Sequence, residues 1–294
     1  MNAGTTCCSR RSRLLVAEEF TAAQVAALTA WVTQHAAARA RIEVGVLAFV
    51  RRLIMGLAGG VFYNDDRVDE VAARVIAQVR AGQQATAAVT SSYLDRVFTV
   101  YDVPTPRGDV VLPERLRPVD PVVQWRRPAE QYRYARSQGV DEAPAVTRAV
   151  QRAERMAGTD LSLAMREASR QKLVLVDADA DVEVRGYRRI IHPELSAGGT
   201  CGLCVAAADR FYSVEDLLPI HDRCWCTVLP VITGLPDPKS VDRKAYEDAV
   251  ARAGNTSAGA LARERYRFDQ HGELGPVLVA EGASIVPPAE QPAA

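Results

Sequence analysis

Residues 201–226, CGLCVAAADRFYSVEDLLPIHDRCWC, decide the fold of the carboxyl-terminal part of this chain, because they hold four of its six cysteines. Two close cysteine pairs separated by a hairpin-sized insertion have the spacing of a structural zinc site, in which thiolates lie about 2.3 Å from a shared ion. The candidate ligands are Cys201, Cys204, His221, Cys224 and Cys226. Disulfides are one alternative, and cysteines buried as small apolar residues are another.

A structural zinc ion is the interpretation that we favour for this pattern. Cys201 and Cys204 supply two ligands from one tight turn, and either Cys224 with Cys226, or His221 in place of one of them, completes a tetrahedral site. A closed site of this kind stabilises a small sheet that has little core of its own, and it leaves no position open for a substrate. We expect synthesis in a reducing cytoplasm, which favours a metal over disulfides.

Short strands are predicted on both sides of the cysteine pattern. Residues 173–176 and 227–232 are short apolar runs, and residues 182–191 contain β-branched and aromatic side chains. The sequence therefore predicts a mainly α protein with a small α+β, zinc-knuckle-like domain near its carboxyl end.

The rest of the chain is predicted to be largely helical. Thr21 is a candidate N-cap, Val68 and Val75 lie on one apolar stripe of a later helix, and Gly82 is a candidate interruption of that helix.

The chain is predicted to consist of six segments. They are a disordered basic leader (1–17), a helical amino-terminal region (18–101), a Pro-rich connector (102–128), a helical region (129–172), the Cys/His domain (173–234) and an extended, partly disordered tail (235–294).

The six prolines of the connector exclude a continuous helix over residues 102–128. We expect a solvated linker there, with an arm docked on a neighbouring surface as the alternative. Beyond it, helices are predicted around residues 130–137, 141–156 and 160–172, and one further helix is predicted near 241–252.

Bulk composition gives no overall support for nucleic-acid binding and argues against a membrane span. The 294 residues carry a formal net charge of zero, so no overall field favours nucleic acid, and any contact with DNA has to be local. The most apolar stretch, residues 44–62, is interrupted by Arg51 and Arg52 and reads as a buried helix rather than a membrane span.

Motifs for catalysis are weak. His192 and Glu194 before the first cysteine pair superficially match a zinc deaminase signature, but the short gap to Cys201 leaves no room for the required strand. The acidic run at residues 177–181 departs from a calcium loop and is read as a polar turn. No hydrolase elbow or phosphate-binding loop occurs, so we expect no enzymatic activity.

Basic residues surround the cysteine pattern and form a candidate patch. They read either as a solvated, salt-bridged face or as a contact surface for nucleic acid or an acidic partner. The residues are Arg185, Arg188, Arg189, Arg210 and Arg223.

Residues 185–231, RGYRRIIHPELSAGGTCGLCVAAADRFYSVEDLLPIHDRCWCTVLPV, resemble the carboxyl-terminal module of Mu F-type (MuF-like) minor head proteins of tailed phages. The shared pattern is a Cys-x-x-Cys, a short apolar and acidic stretch, then a proline, a histidine and a closing Cys-x-Cys. Residues 271–276, HGELGP, are similar to the tail of such proteins in phages of actinobacteria. Asp222 and Arg223 stand where the family usually has proline and asparagine, so ligation by His221 stays open.

The resemblance implies a structural minor capsid protein that acts near the portal in head assembly, DNA packaging or ejection. Its partners would be the portal protein, the major capsid protein or both, together with packaged viral DNA, and no membrane. It would be made in the host cytoplasm and reside in the virion, in the head interior or at the portal vertex. Because some members are described as capsid maturation proteases, a protease or another zinc-dependent hydrolase is the alternative.

Overall fold

The computed structural model describes residues 19–57, 59–179, 182–192, 195, 207–208, 210–217, 225–238, 266–271 and 275–280. The predicted leader, the predicted helix near 241–252 and the end of the tail lie outside these residues.

Long helices form the body of the described part. They are α1 (Ala22–Met55), α2 (Asp65–Val100), α3 (Pro121–Ser137) and α4 (Glu142–Asp179), and a 3-10 turn, Gly59–Tyr63, connects the first two. The predicted N-cap at Thr21 is confirmed, since its side chain and that of Gln24 form a capping box. Asn64 caps α2 and Asp120 caps α3 through their side-chain oxygens.

A small antiparallel sheet follows the helices. It has the order β2-β1-β3, formed by β1 (Val184–Ile190), β2 (Phe211–Tyr212) and β3 (Thr227–Ile232). Tyr187 of β1 faces Tyr212 on one side and Pro230 on the other. A separate hairpin pairs β4 (Tyr266–His271) with β5 (Gly275–Ala280). The prediction of a mainly helical protein with a small sheet is therefore confirmed, and the zinc knuckle remains a prediction.

Three sequence predictions about the helices are wrong. Helix α2 continues through Gly82, and α4 runs unbroken to Asp179 where shorter helices and a strand at residues 173–176 were expected. Leu173 and Val176, one turn apart, are buried while Val174 between them is exposed, which is helical periodicity rather than alternation. Helix α3 begins at Pro121, inside the predicted connector, because a proline at the first helical position loses no hydrogen bond.

The connector lies against the helices instead of standing in solvent. Arg117 forms a buried ion pair with Asp160 in the middle of α4. Further along, the Gln171 amide accepts from the Val111 backbone N–H at 3.0 Å and donates to its carbonyl oxygen at 2.9 Å. An arm docked on this chain's own surface is therefore the correct interpretation of residues 102–120.

The buried apolar side chains form two separate cores, one at each end of the long helices. One core is made by the second half of α1, the first half of α2, α3 and the first half of α4, and Val50, Phe62 and Val75 lie at its centre. The other core joins the opposite ends of α1, α2 and α4 to the sheet, with Leu28 and Leu94 among its fully buried members. The sheet thus covers one end of the helical body.

Gly82 permits the close approach of three helices. A Cβ atom at this position would lie 2.7 Å from Val46 Cγ2 of α1 and 3.0 Å from Leu161 Cδ2 of α4. Gly45, also inside a helix, would place a Cβ atom in open space. The glycine that looks like a helix breaker in the sequence is therefore a packing position.

We expect Gly82→Ala to be less stable than Gly45→Ala by about 1–3 kcal/mol, the cost of overpacking a filled core. Both changes gain a similar helix propensity of about 1 kcal/mol, so this gain cancels in the comparison. The free energies of unfolding in urea measure the difference. Equal values for the two variants would contradict the packing role of Gly82.

Candidate functional site

Of the five candidate zinc ligands, Cys226 alone belongs to the described residues. It directly precedes β3 and is buried, with 2% of its surface exposed. Among the residues that the structure describes, no cluster of three or more His, Cys, Asp or Glu side chains is arranged to hold a metal. The other candidates lie outside them, namely Cys201, Cys204, His221 and Cys224.

A buried polar seam joins the sheet to α1 and α2 on the same side as Cys226. We use this name for a set of hydrogen-bonded side chains from two helices and from the strand ends. Its members are His35, Arg39, Thr90, Tyr93, Tyr101, His192, Trp225 and Thr227.

A directional chain of hydrogen bonds crosses the seam. Thr90 Oγ1 donates to the Thr86 carbonyl oxygen at 2.7 Å, so it accepts from His35 Nε2 at 3.0 Å. The bare Nδ1 of neutral His35 then accepts a long hydrogen bond, 3.4 Å, from Thr227 Oγ1. Thr227 Oγ1 in turn accepts from His192 Nε2 at 2.8 Å. With His35 neutral, valence assigns these protons, because each hydroxyl has one hydrogen to give.

His35 is held in its neutral form. Burial of the ring holds its pKa well below the usual value, and the positive charges of Arg39, His192 and Arg166 act in the same direction. The ring also stacks on Tyr93, with centroids 4.4 Å apart and planes 11° from parallel. A neutral imidazole satisfies both threonine contacts, with Nε2 as donor and Nδ1 as acceptor.

Tyr93 of α2 and Tyr101, which caps the end of this helix, provide hydrogen-bond donors for the outer edge of β3. Tyr93 donates from its hydroxyl to the Val228 carbonyl oxygen at 2.9 Å, and Tyr101 donates to that of Pro230 at 3.2 Å. Proline has no N–H to leave unpaired at this edge. Burial raises the pKa of Tyr93 far above its usual value, so the hydroxyl keeps its proton.

Trp225, the residue between Cys224 and Cys226, contacts Arg39 of α1 through a hydrogen bond and a cation–π interaction. Arg39 donates from Nη1 to the Trp225 carbonyl oxygen at 3.1 Å, and its guanidinium lies 5.2 Å from the centroid of the indole ring. An arginine contacts an aromatic face favourably because of the ring quadrupole. Arg39 therefore holds the backbone immediately before Cys226.

Two arginines of the predicted basic patch, Arg188 and Arg189, form contacts within the chain. Arg189 is fully buried between two tyrosine rings, 4.8 Å from the centroid of Tyr212, and donates to the Tyr187 hydroxyl at 2.9 Å. Arg188 forms a two-pronged ion pair with Asp237. Arg223 lies outside the described residues. Arg189 is therefore part of the interior, and the charge of Arg188 is paired with that of Asp237.

Residues of the deaminase-like pattern and of the acidic run form structural contacts. His192 of the deaminase-like pattern is buried and bound to Thr227, whereas Glu194 lies outside the described residues. Asp177 of the acidic run accepts from the backbone N–H of Val184 at 2.8 Å, which ties the end of α4 to β1. Asp177 and Asp179 lie in the last turn of α4, whereas the sequence predicted a polar turn for the whole acidic run.

Most of the seam could not be recognised from the sequence. Thr90, Tyr93 and Thr227 carry no motif, and their partners lie far away in the sequence. The available signal was weak: Thr86, Thr90 and Tyr93 follow each other at helical spacing on the buried face of α2. Polar residues on a buried stripe indicate that a polar partner packs there.

Comparison with known proteins adds no assignment, since no protein-family model, curated protein or solved structure matches this chain. Within the described residues, no helix is both long enough and apolar enough to span a bilayer.

Acid is expected to weaken the fold through His35. The unfolded chain protonates this histidine near pH 6.5, whereas the folded chain resists protonation until a lower pH. The free energy of unfolding should therefore fall as pH drops below about 6.5, by up to about 1.4 kcal/mol per pH unit from this group.

Denaturant titrations of wild type and His35→Gln between about pH 7.5 and 5, a range that brackets the pKa of the unfolded chain, measure this effect. The glutamine amide reaches the position of Nε2 but does not titrate, so its stability should depend less steeply on pH. Identical slopes in the two proteins would contradict a neutral, buried His35.

Proposed function

We propose that this chain is a structural minor capsid protein of a tailed phage, acting near the portal in head assembly, DNA packaging or ejection. The observation that carries the proposal is the cysteine and histidine pattern of residues 201–226 and its likeness to the MuF-like module. The proposal places the protein in the virion, in the head interior or at the portal vertex, with the portal or major capsid protein as its partner.

The proposal assigns a structural zinc ion to this module. Four of Cys201, Cys204, His221, Cys224 and Cys226 would hold it, and a zinc ion held in this way supplies a cross-link rather than a reaction. The thiolate-rich donor set suits zinc. The described sheet has one strand of two residues and little core of its own, which is the situation in which a metal contributes to folding.

Three features of the described chain support a role as a rigid spacer. Helix α1 has 34 residues, so it extends for about 50 Å. Its amino-terminal half holds the sheet through the polar seam. At the end of α1 that is opposite the sheet, Met55 and the following 3-10 turn, with Val61 and Tyr63, expose apolar side chains. An apolar tip of this kind suits docking to another protein.

Incorporation into particles tests the proposal. We expect a few copies per head of the wild-type chain and of Cys7→Ser, and almost none of Cys224→Ser. Cys7 lies far from the pattern and provides the matched control. Quantitative mass spectrometry of purified particles gives the copy number. Absence of the wild-type chain from particles, or chain-dependent cleavage of the capsid protein, would contradict a purely structural role.

Metal analysis of the same purified variants separates the two parts of the proposal. About one zinc per chain is expected in wild type and Cys7→Ser, and a loss of zinc in Cys224→Ser. If the wild-type chain enters particles without zinc, the metal assignment fails while the capsid role stands.

A further inference from the structure

One face of the small sheet carries a candidate zinc ligand together with buried polar groups. Directly paired residues of an antiparallel sheet lie on the same face, and side chains alternate between the two faces along extended backbone. Tyr187 is paired with Tyr212, and Arg189, two residues further along β1, is paired with Val228. Cys226 lies two residues before Val228. This face, which we call the cysteine face, therefore holds Tyr187, Arg189, Tyr212 and Cys226.

The hydroxyl group of Tyr212 is buried on this face and lacks a hydrogen-bond partner. Tyr212 is 8% exposed, and its Oη atom forms no hydrogen bond within the part of the chain that the structure describes. The ring is nevertheless held firmly, because it stacks on Tyr187 with centroids 5.3 Å apart and lies against the guanidinium of Arg189. Buried hydroxyl groups are nearly always paired, so this one points to a partner other than the described residues.

The surroundings of this hydroxyl favour an anionic partner. Burial raises the pKa of Tyr212 to about 12, although the charge of Arg189 acts in the opposite direction, so the hydroxyl keeps its proton and can donate it. Cys226 contributes to the same rise in pKa, which places its sulfur within electrostatic reach of the hydroxyl. Arg189 is fully buried and adds a positive charge to the face. A donor beside a buried cation suits a negatively charged acceptor.

The zinc site assigned above would supply such an acceptor at this place. A zinc ion bound by Cys226 would lie about 2.3 Å from its sulfur and therefore on the cysteine face. Three or four thiolates outweigh the charge of the ion, and each bound sulfur keeps lone pairs that accept hydrogen bonds. Donors of this kind orient the ligands of a metal and strengthen its binding.

We infer that the Tyr212 hydroxyl donates a hydrogen bond to a thiolate of this zinc site, with Arg189 offsetting the negative charge of the thiolates. The inference rests on the zinc assignment of the proposed function. Tyr212 is a positioning residue, since it orients a sulfur atom and does not touch the metal. Because its ring is already packed between Tyr187 and Arg189, the hydroxyl is held in place before the metal binds.

Zinc affinity and metal-free stability of the full-length chain test this role, because Tyr212→Phe should change them differently. Competition with a chromogenic chelator should show zinc binding weakened about tenfold or more, the usual effect of losing a partner of a metal ligand. The metal-free variant should unfold at the same or a higher urea concentration than metal-free wild type, since it has lost a buried, unpaired hydroxyl. Tyr134→Phe, at an exposed tyrosine of α3, is the control and should change neither.

Metal substitution gives a readout of the hydrogen bond itself. With cobalt(II) in place of zinc, the thiolate-to-cobalt charge-transfer band should move to lower energy in Tyr212→Phe, because the sulfur lone pair loses the hydrogen bond that stabilises it. In wild type loaded with an NMR-active cadmium isotope, the Tyr212 hydroxyl proton should couple to the metal through the sulfur. The cadmium measurement needs no variant.

The outcomes separate this inference from the zinc assignment. If wild type binds zinc, and Tyr212→Phe has the same affinity and the same cobalt spectrum, the inference fails while the zinc assignment stands. Parallel losses of zinc affinity and metal-free stability, or a cadmium-loaded wild type without the coupling, would also overturn the inference. A wild-type chain that binds no zinc would refute the zinc assignment and the inference with it.

Discussion

The outer edge of β3 is the constraint on which the arrangement of this protein depends. A strand edge inside a molecule needs partners for its carbonyl groups, and water cannot reach this one. Helix α2 supplies them from Tyr93 and Tyr101, two turns apart and therefore on one face. Two backbone carbonyl groups of the sheet thus obtain their partners from the helical body at a place that is shielded from water.

The polar seam makes this junction specific as well as stable. An apolar interface tolerates sliding, whereas the hydrogen-bond chain through His35, Thr90 and Thr227 is satisfied in one relative placement of strand and helices. Arg39 extends the same placement to Trp225 and so to the end of the cysteine pattern. The seam therefore fixes the position of the sheet relative to α1 and α2.

Local patterns predicted the parts of the fold that depend on local physics. The capping box at Thr21 and the apolar stripe of α2 could be read directly, because their partners lie within a few residues. The apolar run at residues 173–176 was misread, since so short a run fits strand and helix equally well. A docked arm was one of two interpretations of the connector, but its contacts and most of the polar seam could not be predicted. Arg117 lies 43 positions from Asp160, and Tyr93 lies 135 from Val228.

Native-state hydrogen exchange measures most directly whether sheet and helices form one cooperative unit. If the edge of β3 depends on α2, the amide of Leu229 should exchange only with global unfolding, at the same opening free energy as the amides around Tyr93. Both should respond equally to low concentrations of denaturant. An opening free energy for β3 that is clearly lower, with little dependence on denaturant, would show that the sheet detaches alone and would contradict this account.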